Sequence, residues 1–231
     1  MAGGQVMVEW FVYVGATFGA LFPIANPFSA APVFLAVTER FTAARRRQQA
    51  KMAAIYTASV LIVALFAGAL VLEFFGITLP ILRIGGGLII ARVGFGMVSS
   101  EQKAGVSDAE KSEAHDMTDV AFTPIAMPLL SGPGSIAVTI GMATHSHSFV
   151  DYSAEAVGIV LVAVSSWVVL RYSERILGMI GTTGMNVLTR MMGFLLVCIG
   201  VQFVATGFVE GLTSDAMMDV LRDWQMRWQA G

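Results

Sequence analysis

Charged residues are scarce in this sequence. Asp, Glu, Lys and Arg supply 13% of its 231 residues, and 56% are hydrophobic, whereas a soluble domain carries about 25% charged residues. The deficit argues against a soluble domain and predicts a membrane protein. A formal net charge of −2, without a basic stripe interleaved with aromatic residues, argues against a nucleic-acid partner.

Cysteine and the residues of common catalytic motifs are equally sparse. The single cysteine, Cys198, excludes an internal disulfide and lies in an apolar run, where we expect a small buried hydrophobe. His145 and His147 have a metal-like spacing but no cysteine nearby, which argues against a metal site. No nucleophile elbow, phosphate loop or Ser/His/Asp arrangement is visible, so we expect no enzyme and no cofactor.

Carboxylates are missing from the middle of the apolar segments. Glu9, Glu73 and Glu210 lie near the ends of segments that we predict to span the membrane. A proton-carrying carboxylate and a binding site for a cationic substrate are therefore not evident. Coupling to sodium or to protons stays open.

Six apolar segments are long enough to enter a bilayer, which a helix crosses with about 20 residues. The fold class that they predict is an all-α membrane protein with six transmembrane helices in a single transmembrane domain, residues 1–231. The predicted spans run over residues 10–37, 52–72, 79–98, 120–142, 156–170 and 191–209.

The most distinctive feature is a proline-rich stretch that occurs twice. Residues 23–32 read PIANPFSAAP and residues 124–133 read PIAMPLLSGP, with five of ten positions identical. Proline removes an amide donor and clashes with the preceding turn, so three prolines within ten residues cannot sit in one unbroken helix. We therefore predict that the first and fourth helices are broken. Paired breaks indicate a transporter binding site, although kinks that only shape the bundle are the alternative.

The repeat extends beyond the prolines. Arg83 is followed three residues later by a glycine and then an aliphatic pair, and so is Arg190. These matches predict repeat one over residues 10–100 and repeat two over residues 119–210, joined by an acidic linker over residues 101–118. Because each repeat holds three spans, an odd number, the second repeat is expected to insert upside down relative to the first.

The distribution of Lys and Arg predicts the orientation. The loops on one side of the predicted spans hold nine basic residues, and the positive-inside rule assigns that side to the cytoplasm. Both termini are then periplasmic, and an amphipathic tail over residues 213–231 is expected to lie in the membrane interface. The nine residues are Arg40, Arg45, Arg46, Arg47, Lys51, Lys103, Lys111, Arg171 and Arg175.

The two breaks supply groups suited to an anionic ligand. A helix that starts inside the membrane exposes amide N–H groups with a positive dipole end behind them. We expect the amides around Ser29 and residues 132–135 to hold a carboxylate, while Asn26 and Ser131 bind polar parts of the ligand. The candidate binding residues at the breaks are Asn26, Pro27, Ser29, Ser131, Gly132, Gly134 and Ser135.

Two arginines are further candidates for the binding site. Arg83 and Arg190 occupy matching places in the two repeats, and an arginine within a span is a functional hypothesis by default. Both also lie near span ends, where a long side chain can reach water. Substrate binding and snorkelling to the interface therefore both stay open.

These motifs resemble the MarC family of bacterial inner-membrane proteins over residues 8–212. The resemblance implies six spans and transport of small neutral amino acids such as alanine, glycine or serine. It rests on Asn26-Pro27 with Pro32-Val33-Phe34, Arg83-Ile84-x-Gly86-Gly87, Pro124-Ile125-Ala126-x-Pro128 with Ser131-Gly132-Pro133-Gly134, Arg190-x-x-Gly193 and Gln202.

The leading hypothesis is a secondary transporter of small neutral amino acids in the inner membrane that works by alternating access. Its partners would be the amino acid substrate and membrane lipid, without nucleic acid. A non-transporting membrane scaffold or regulator and a passive channel are the alternatives. The direction of transport and a homo-oligomeric state stay open.

Overall fold

The computed structural model describes residues 2–99, 119–144, 146 and 148–213, with backbone only for residues 2–5. Within these residues the chain is helical and contains no strand. The predicted acidic linker, the pair His145 and His147, and the predicted tail beyond residue 213 lie outside the described residues.

Seven helices and one irregular helical segment follow one another along the described chain. The helices are α1 (Ala2–Ala25), α2 (Pro27–Val37), α3 (Ala43–Phe75), α4 (Leu79–Ser99), α5 (Pro133–Ala143), α6 (Phe149–Arg171) and α7 (Ser173–Leu212). The irregular segment, Ala121–Leu130, precedes α5.

Five of these helices, α1, α3, α4, α6 and α7, are long and apolar enough to cross a membrane. The irregular segment and α5 meet at an angle of 61°, and counting this bent pair as one span gives six candidates. The all-helical membrane architecture predicted from composition is therefore confirmed. Three predicted spans are too short, because α3 extends over 33 residues, α6 over 23 residues and α7 over 40 residues, with a break in α7 at Gly181 (φ 69°).

The direction of each helix follows from its contacts. The indole Nε1 of Trp10 donates a hydrogen bond to Ser153 Oγ at 3.0 Å, and Thr17 of the same helix lies against Gly158. Helices α1 and α6 thus run parallel. Phe66 near the end of α3 stacks on Tyr152 near the start of α6, with ring centroids 5.7 Å apart, so α3 and α6 run antiparallel.

Helices α4 and α7 pack closely along each other. A Cβ atom on Gly87 would lie 2.6 Å from the carbonyl oxygen of Gly200, and a Cβ atom on Gly94 would lie 2.6 Å from that of Gly193. The order of the contacts reverses between the helices, so they are antiparallel. Small residues bring the two backbones together, as in other membrane helix pairs.

Two clusters of buried side chains place the breaks in the middle of the bundle. The first cluster joins α2 and the irregular segment to α3 and α6 through residues such as Phe34, Ile125 and Leu170. The second joins α1 and α5 to α3, α4, α6 and α7 through residues such as Leu21 and Val138. Each broken stretch contributes one half to each cluster, so both breaks lie between the clusters.

The outward faces of the long helices are apolar. Cys198 is exposed on α7, on the same face as Phe194 and Val201, which are 62% and 56% exposed. The prediction that Cys198 is buried is therefore wrong. A membrane helix can be apolar all round, and only the face that packs on protein is buried.

Candidate functional site

A cavity of about 660 Å³ lies where the two proline-rich stretches meet. Its size falls within the range of small-molecule sites, about 300–1,000 Å³. The walls come from α1, α2, α4, the second break, α5 and α7. From the two stretches, the lining residues are Ile24, Asn26, Ser29, Pro32, Pro128, Leu129, Gly132, Pro133, Gly134 and Ser135.

The first break is a one-residue reversal at Asn26. Its backbone is left-handed (φ 39°, ψ 65°), a conformation that asparagine tolerates better than most residues. Asn26 Oδ1 and its carbonyl oxygen both accept from the Ser29 amide, at 3.3 and 3.1 Å. Pro27 follows as the first residue of α2 and has no N–H to satisfy. The start of α2 is therefore capped by the chain itself.

This capping corrects one expectation about the carboxylate site. The Ser29 amide is occupied by Asn26, so it does not offer a free N–H to a ligand. The Ser29 hydroxyl instead donates across to Thr189 Oγ1 of α7 at 3.4 Å. Pro27 is buried and does not line the cavity, contrary to its place among the predicted binding residues.

The amide group of Asn26 itself faces the cavity. Asn26 is 4% exposed. Among the described residues, the hydrogen-bond acceptor of its Nδ2 is Met97 Sδ, at 3.7 Å. A thioether sulfur is a weak acceptor. A buried amide donor with so weak a partner gains from a ligand oxygen.

The second break is longer and less regular. Within the irregular segment, Thr123 and Met127 have extended backbones (φ −117° and −129°), and each precedes a cis proline. The chain continues through an extended Gly132 (φ −67°, ψ 177°), and α5 begins at Pro133. The second break thus extends over the whole repeated stretch, whereas the first is confined to one residue.

The start of α5 has no side-chain cap. Its first intrahelical bond runs from the Ile136 amide to the Gly132 carbonyl at 3.1 Å, so the amides of Gly134 and Ser135 come before the ladder of helical bonds. Both residues line the cavity. Two amide donors and the positive end of the α5 dipole therefore lie at the cavity wall.

Glycine is required where the second break folds on itself. A Cβ atom on Gly132 would lie 2.5 Å from the carbonyl oxygen of Pro128, and one on Gly134 would lie 2.8 Å from Ile90 Cγ1. The first contact is with backbone, which cannot rotate away as a side chain can. Gly132 therefore fixes the path of the second break.

The serines at the second break have different roles. Ser131 is fully buried, its Oγ donates to the Ala126 carbonyl at 2.8 Å, and it does not line the cavity. The predicted role of Ser131 in holding a ligand is therefore not supported. Ser135 does line the cavity, and its Oγ donates to the Leu130 carbonyl at 3.2 Å.

The two arginines equated by the repeat lie in different surroundings. Arg83 is 7% exposed and forms an ion pair with Glu210, which ties α4 to α7. It does not line the cavity, so its predicted place in the binding site is not supported. Arg190 does line the cavity. Among the described residues in the cavity wall, it is the one with a cationic side chain.

Sequence reasoning missed the contribution of α4 and of the first half of α7. Ile90, Val93 and Met97 form an apolar wall, and Asn186 and Thr189 add polar groups. The first half of α7 fell between two predicted spans. Its Ile176, Leu177 and Ile180 at helical spacing were the available signal.

A buried carboxylate was also missed. Glu155 is 2% exposed and accepts a hydrogen bond from Ser146 Oγ at 2.7 Å. The predicted fifth span begins at the following residue, which places Glu155 in the preceding loop. The bundle therefore does bury a carboxylate, although Glu155 does not line the cavity. In the part of the chain that the structure describes, no group of three His, Cys, Asp or Glu residues is close enough to hold a metal ion.

Comparison with known proteins places these features in context. A family model described as "MarC family integral membrane protein" matches residues 11–212. The chain is 40% identical to the UPF0056 inner membrane protein MarC of Escherichia coli O1:K1 / APEC over 215 residues, which cover 88% of this chain and 97% of that relative. Proteins of the same name from Salmonella typhi and Salmonella paratyphi A match over the same lengths at 40% and 39% identity. No solved structure matches.

Proposed function

We propose that this chain, which belongs to the MarC family of integral membrane proteins, is a secondary transporter of small neutral amino acids in the bacterial inner membrane, and not an enzyme. The observation that carries the proposal is that both broken stretches line one cavity between the two buried clusters. Broken helices that meet at the middle of the membrane are typical of transporter binding sites.

The cavity wall suits a zwitterion. The amides of Gly134 and Ser135 and the guanidinium of Arg190 are donors for a carboxylate. Oxygen atoms of Ser29 and Thr189 are acceptors for an ammonium group. Among the described residues that line the cavity, none is acidic, which disfavours a substrate with net positive charge.

The apolar part of the wall sets a limit on the side chain of the substrate. Ile24, Ile90 and Val93 line the same cavity and offer apolar atoms to the substrate. A neutral side chain packs there without burying an unpaired charge, whereas a charged one would lose its hydration at a cost on the order of several kcal/mol. The arrangement therefore favours alanine, glycine and serine over acidic or basic amino acids.

The proposed transport cycle uses two inverted repeats of three helices. In support, the contact between α4 and α7 is reciprocal, since Gly87 meets Gly200 and Gly94 meets Gly193. The two glycines of each helix are seven residues apart, so equivalent positions meet across the contact. The parallel α1 and α6 and the antiparallel α3 and α6 also fit six spans that alternate in direction. Rocking of one repeat against the other would expose the cavity to each side in turn, with both termini periplasmic.

Uptake by the purified protein in liposomes tests the proposal. Labelled alanine or glycine should accumulate above the level in empty vesicles and saturate with concentration, and sodium and proton gradients imposed separately identify the coupling ion. Flux that rises without saturation would instead support a passive channel. The absence of uptake of any small neutral amino acid would leave a scaffold or regulator as the function and would contradict a transporter.

A further inference from the structure

A second, smaller cavity lies at the opposite end of the bundle from the start of α4. It has a volume of about 150 Å³ and forms where α3 begins, α6 ends and α7 begins. Four arginines line it, together with one acidic residue, Glu174. The arginines are Arg46, Arg47, Arg171 and Arg175.

Only one of these arginines is neutralised by the acidic residue. Arg46 pairs with Glu174 and donates through Nη2 to the Thr38 carbonyl at 2.9 Å, which ties α3 to α2 and α7. Its Nε is buried without a hydrogen-bond partner in the described structure. Within the described residues, the other three arginines have no carboxylate within ion-pair distance. The cavity therefore carries an excess of positive charge.

Aromatic rings hold two of the guanidinium groups in place. The Arg171 Cζ lies 5.5 Å from the centre of the Trp167 ring and 5.7 Å from that of Tyr172. The Cζ of Arg175, three residues after Tyr172, lies 5.7 Å from the centre of the same tyrosine ring. Such cation–π contacts position the guanidinium groups before a ligand arrives, and Trp and Tyr are typical of the membrane interface.

We propose that this cavity binds the phosphate group of an anionic phospholipid. Guanidinium groups match phosphate oxygens in a bidentate geometry, and basic pockets between membrane helices bind lipid head groups of this class. The cavity lies where α6, a helix long enough to cross a membrane, ends and α7 begins, and lipid head groups lie at the ends of such spans. The proposal does not depend on which substrate the protein transports.

An apolar stripe below the cavity favours lipid over free phosphate. Val168, Val164 and Leu161 are 40%, 46% and 43% exposed and follow one another along one face of α6, which ends at Arg171. An acyl chain attached to a phosphate in the cavity would lie along this face. Free phosphate would gain nothing from it.

Native mass spectrometry of the purified full chain tests the proposal. Protein extracted from nanodiscs that contain phosphatidylglycerol and phosphatidylcholine should retain phosphatidylglycerol in preference. Replacing Arg47, Arg171 and Arg175 with glutamine should weaken retention by at least about 100-fold, because each change removes a charged hydrogen bond to the phosphate, and one such bond contributes about tenfold or more in affinity. The single change Arg175→Gln should weaken it by about tenfold and keeps the test decisive if the triple variant does not fold.

A control variant removes three charges from the same end without touching the cavity. Arg40→Gln, Arg45→Gln and Lys51→Gln together should leave retention of phosphatidylglycerol unchanged. Equal losses in both triple variants would mean diffuse attraction to the membrane and overturn the site. Wild-type protein that retains no anionic lipid in preference would also overturn it. So would wild-type protein that binds inorganic phosphate as well as it binds phosphatidylglycerol.

Discussion

The two proline-rich stretches share five of ten residues, including all three prolines, but form different breaks. In the first, α2 begins at Pro27, because Asn26 adopts a left-handed backbone and caps the helix. In the second, Met127 stands where the asparagine would be, its backbone is extended, and α5 begins five residues later than its counterpart, at Pro133. The left-handed, capping Asn26 therefore distinguishes the start of α2 from the start of α5, which has no side-chain cap.

The two breaks are expected to have different roles in substrate binding. The start of α2 is capped by the side chain of Asn26, whereas the start of α5, at the cavity wall, has no side-chain cap. An uncapped helix start inside a membrane has amide groups that a ligand can satisfy. We therefore expect the second break to bind the anionic end of a substrate and the first to complete the cavity wall.

The largest expected effect comes from Gly132→Ala. The added Cβ would lie 2.5 Å from the Pro128 carbonyl oxygen, so the second break must move, and a shift of about 1 Å at a site can lower a rate about 100-fold. Ala31 occupies the equivalent place in the first break, and Ala31→Gly serves as the matched control. Alanine uptake per folded protein, measured in liposomes, should fall in the first variant alone. Equal losses would remove the distinction between the breaks.

Arg190→Gln should come next. Loss of a charged hydrogen bond to the substrate costs about 1.5–3 kcal/mol, which corresponds to a rise in KM of about 10- to 100-fold. The matched change Arg83→Gln removes an ion pair outside the cavity, so we expect a lower apparent Tm with KM near the wild-type value. A reversed pattern, with KM raised by the Arg83 change, would place the substrate at the other arginine.

Substitution of Asn26 should act mainly through the structure of the first break. Asn26→Ala removes the cap and keeps the left-handed backbone, each at a cost of about 1 kcal/mol, whereas Asn26→Gly relieves the backbone cost. The apparent Tm should therefore fall further for alanine than for glycine. If the two variants unfold at the same temperature, the capping account of this break is wrong.

The smallest effect is expected from Ser131→Ala. Its hydroxyl bonds to the Ala126 carbonyl away from the cavity, so the change costs about 1 kcal/mol of stability and little transport. Ser135→Ala, inside the cavity, should raise KM more. Uptake kinetics of the two variants side by side would sharpen the distinction between serines that support the second break and serines that face the substrate.

Much of this architecture could be predicted from the sequence. The charge deficit and the apolar runs predicted a helical membrane protein, and the motifs predicted membership of the MarC family; both are confirmed. The repeat also predicted that the first and fourth helices are broken, and both broken stretches line one cavity. Periodic apolar patterns and prolines act locally, and for that reason they can be recognised without knowing the fold.

Other features depend on tertiary contacts and could not be predicted. Whether Arg83 meets a substrate or Glu210 depends on how α4 packs on α7, which a single helix pattern does not reveal. Glu155 was missed because the edge of an apolar run does not mark where a helix enters the bundle.

The central claim is that both breaks line one substrate cavity, and protection of engineered cysteines tests it most directly. In a background with Cys198→Ser, Ser29→Cys and Ser135→Cys place one thiol at each break. Alanine should slow labelling of both thiols by a polar thiol reagent, with the same half-maximal alanine concentration at each position. Protection of one thiol without the other, or at clearly different concentrations, would contradict a shared cavity.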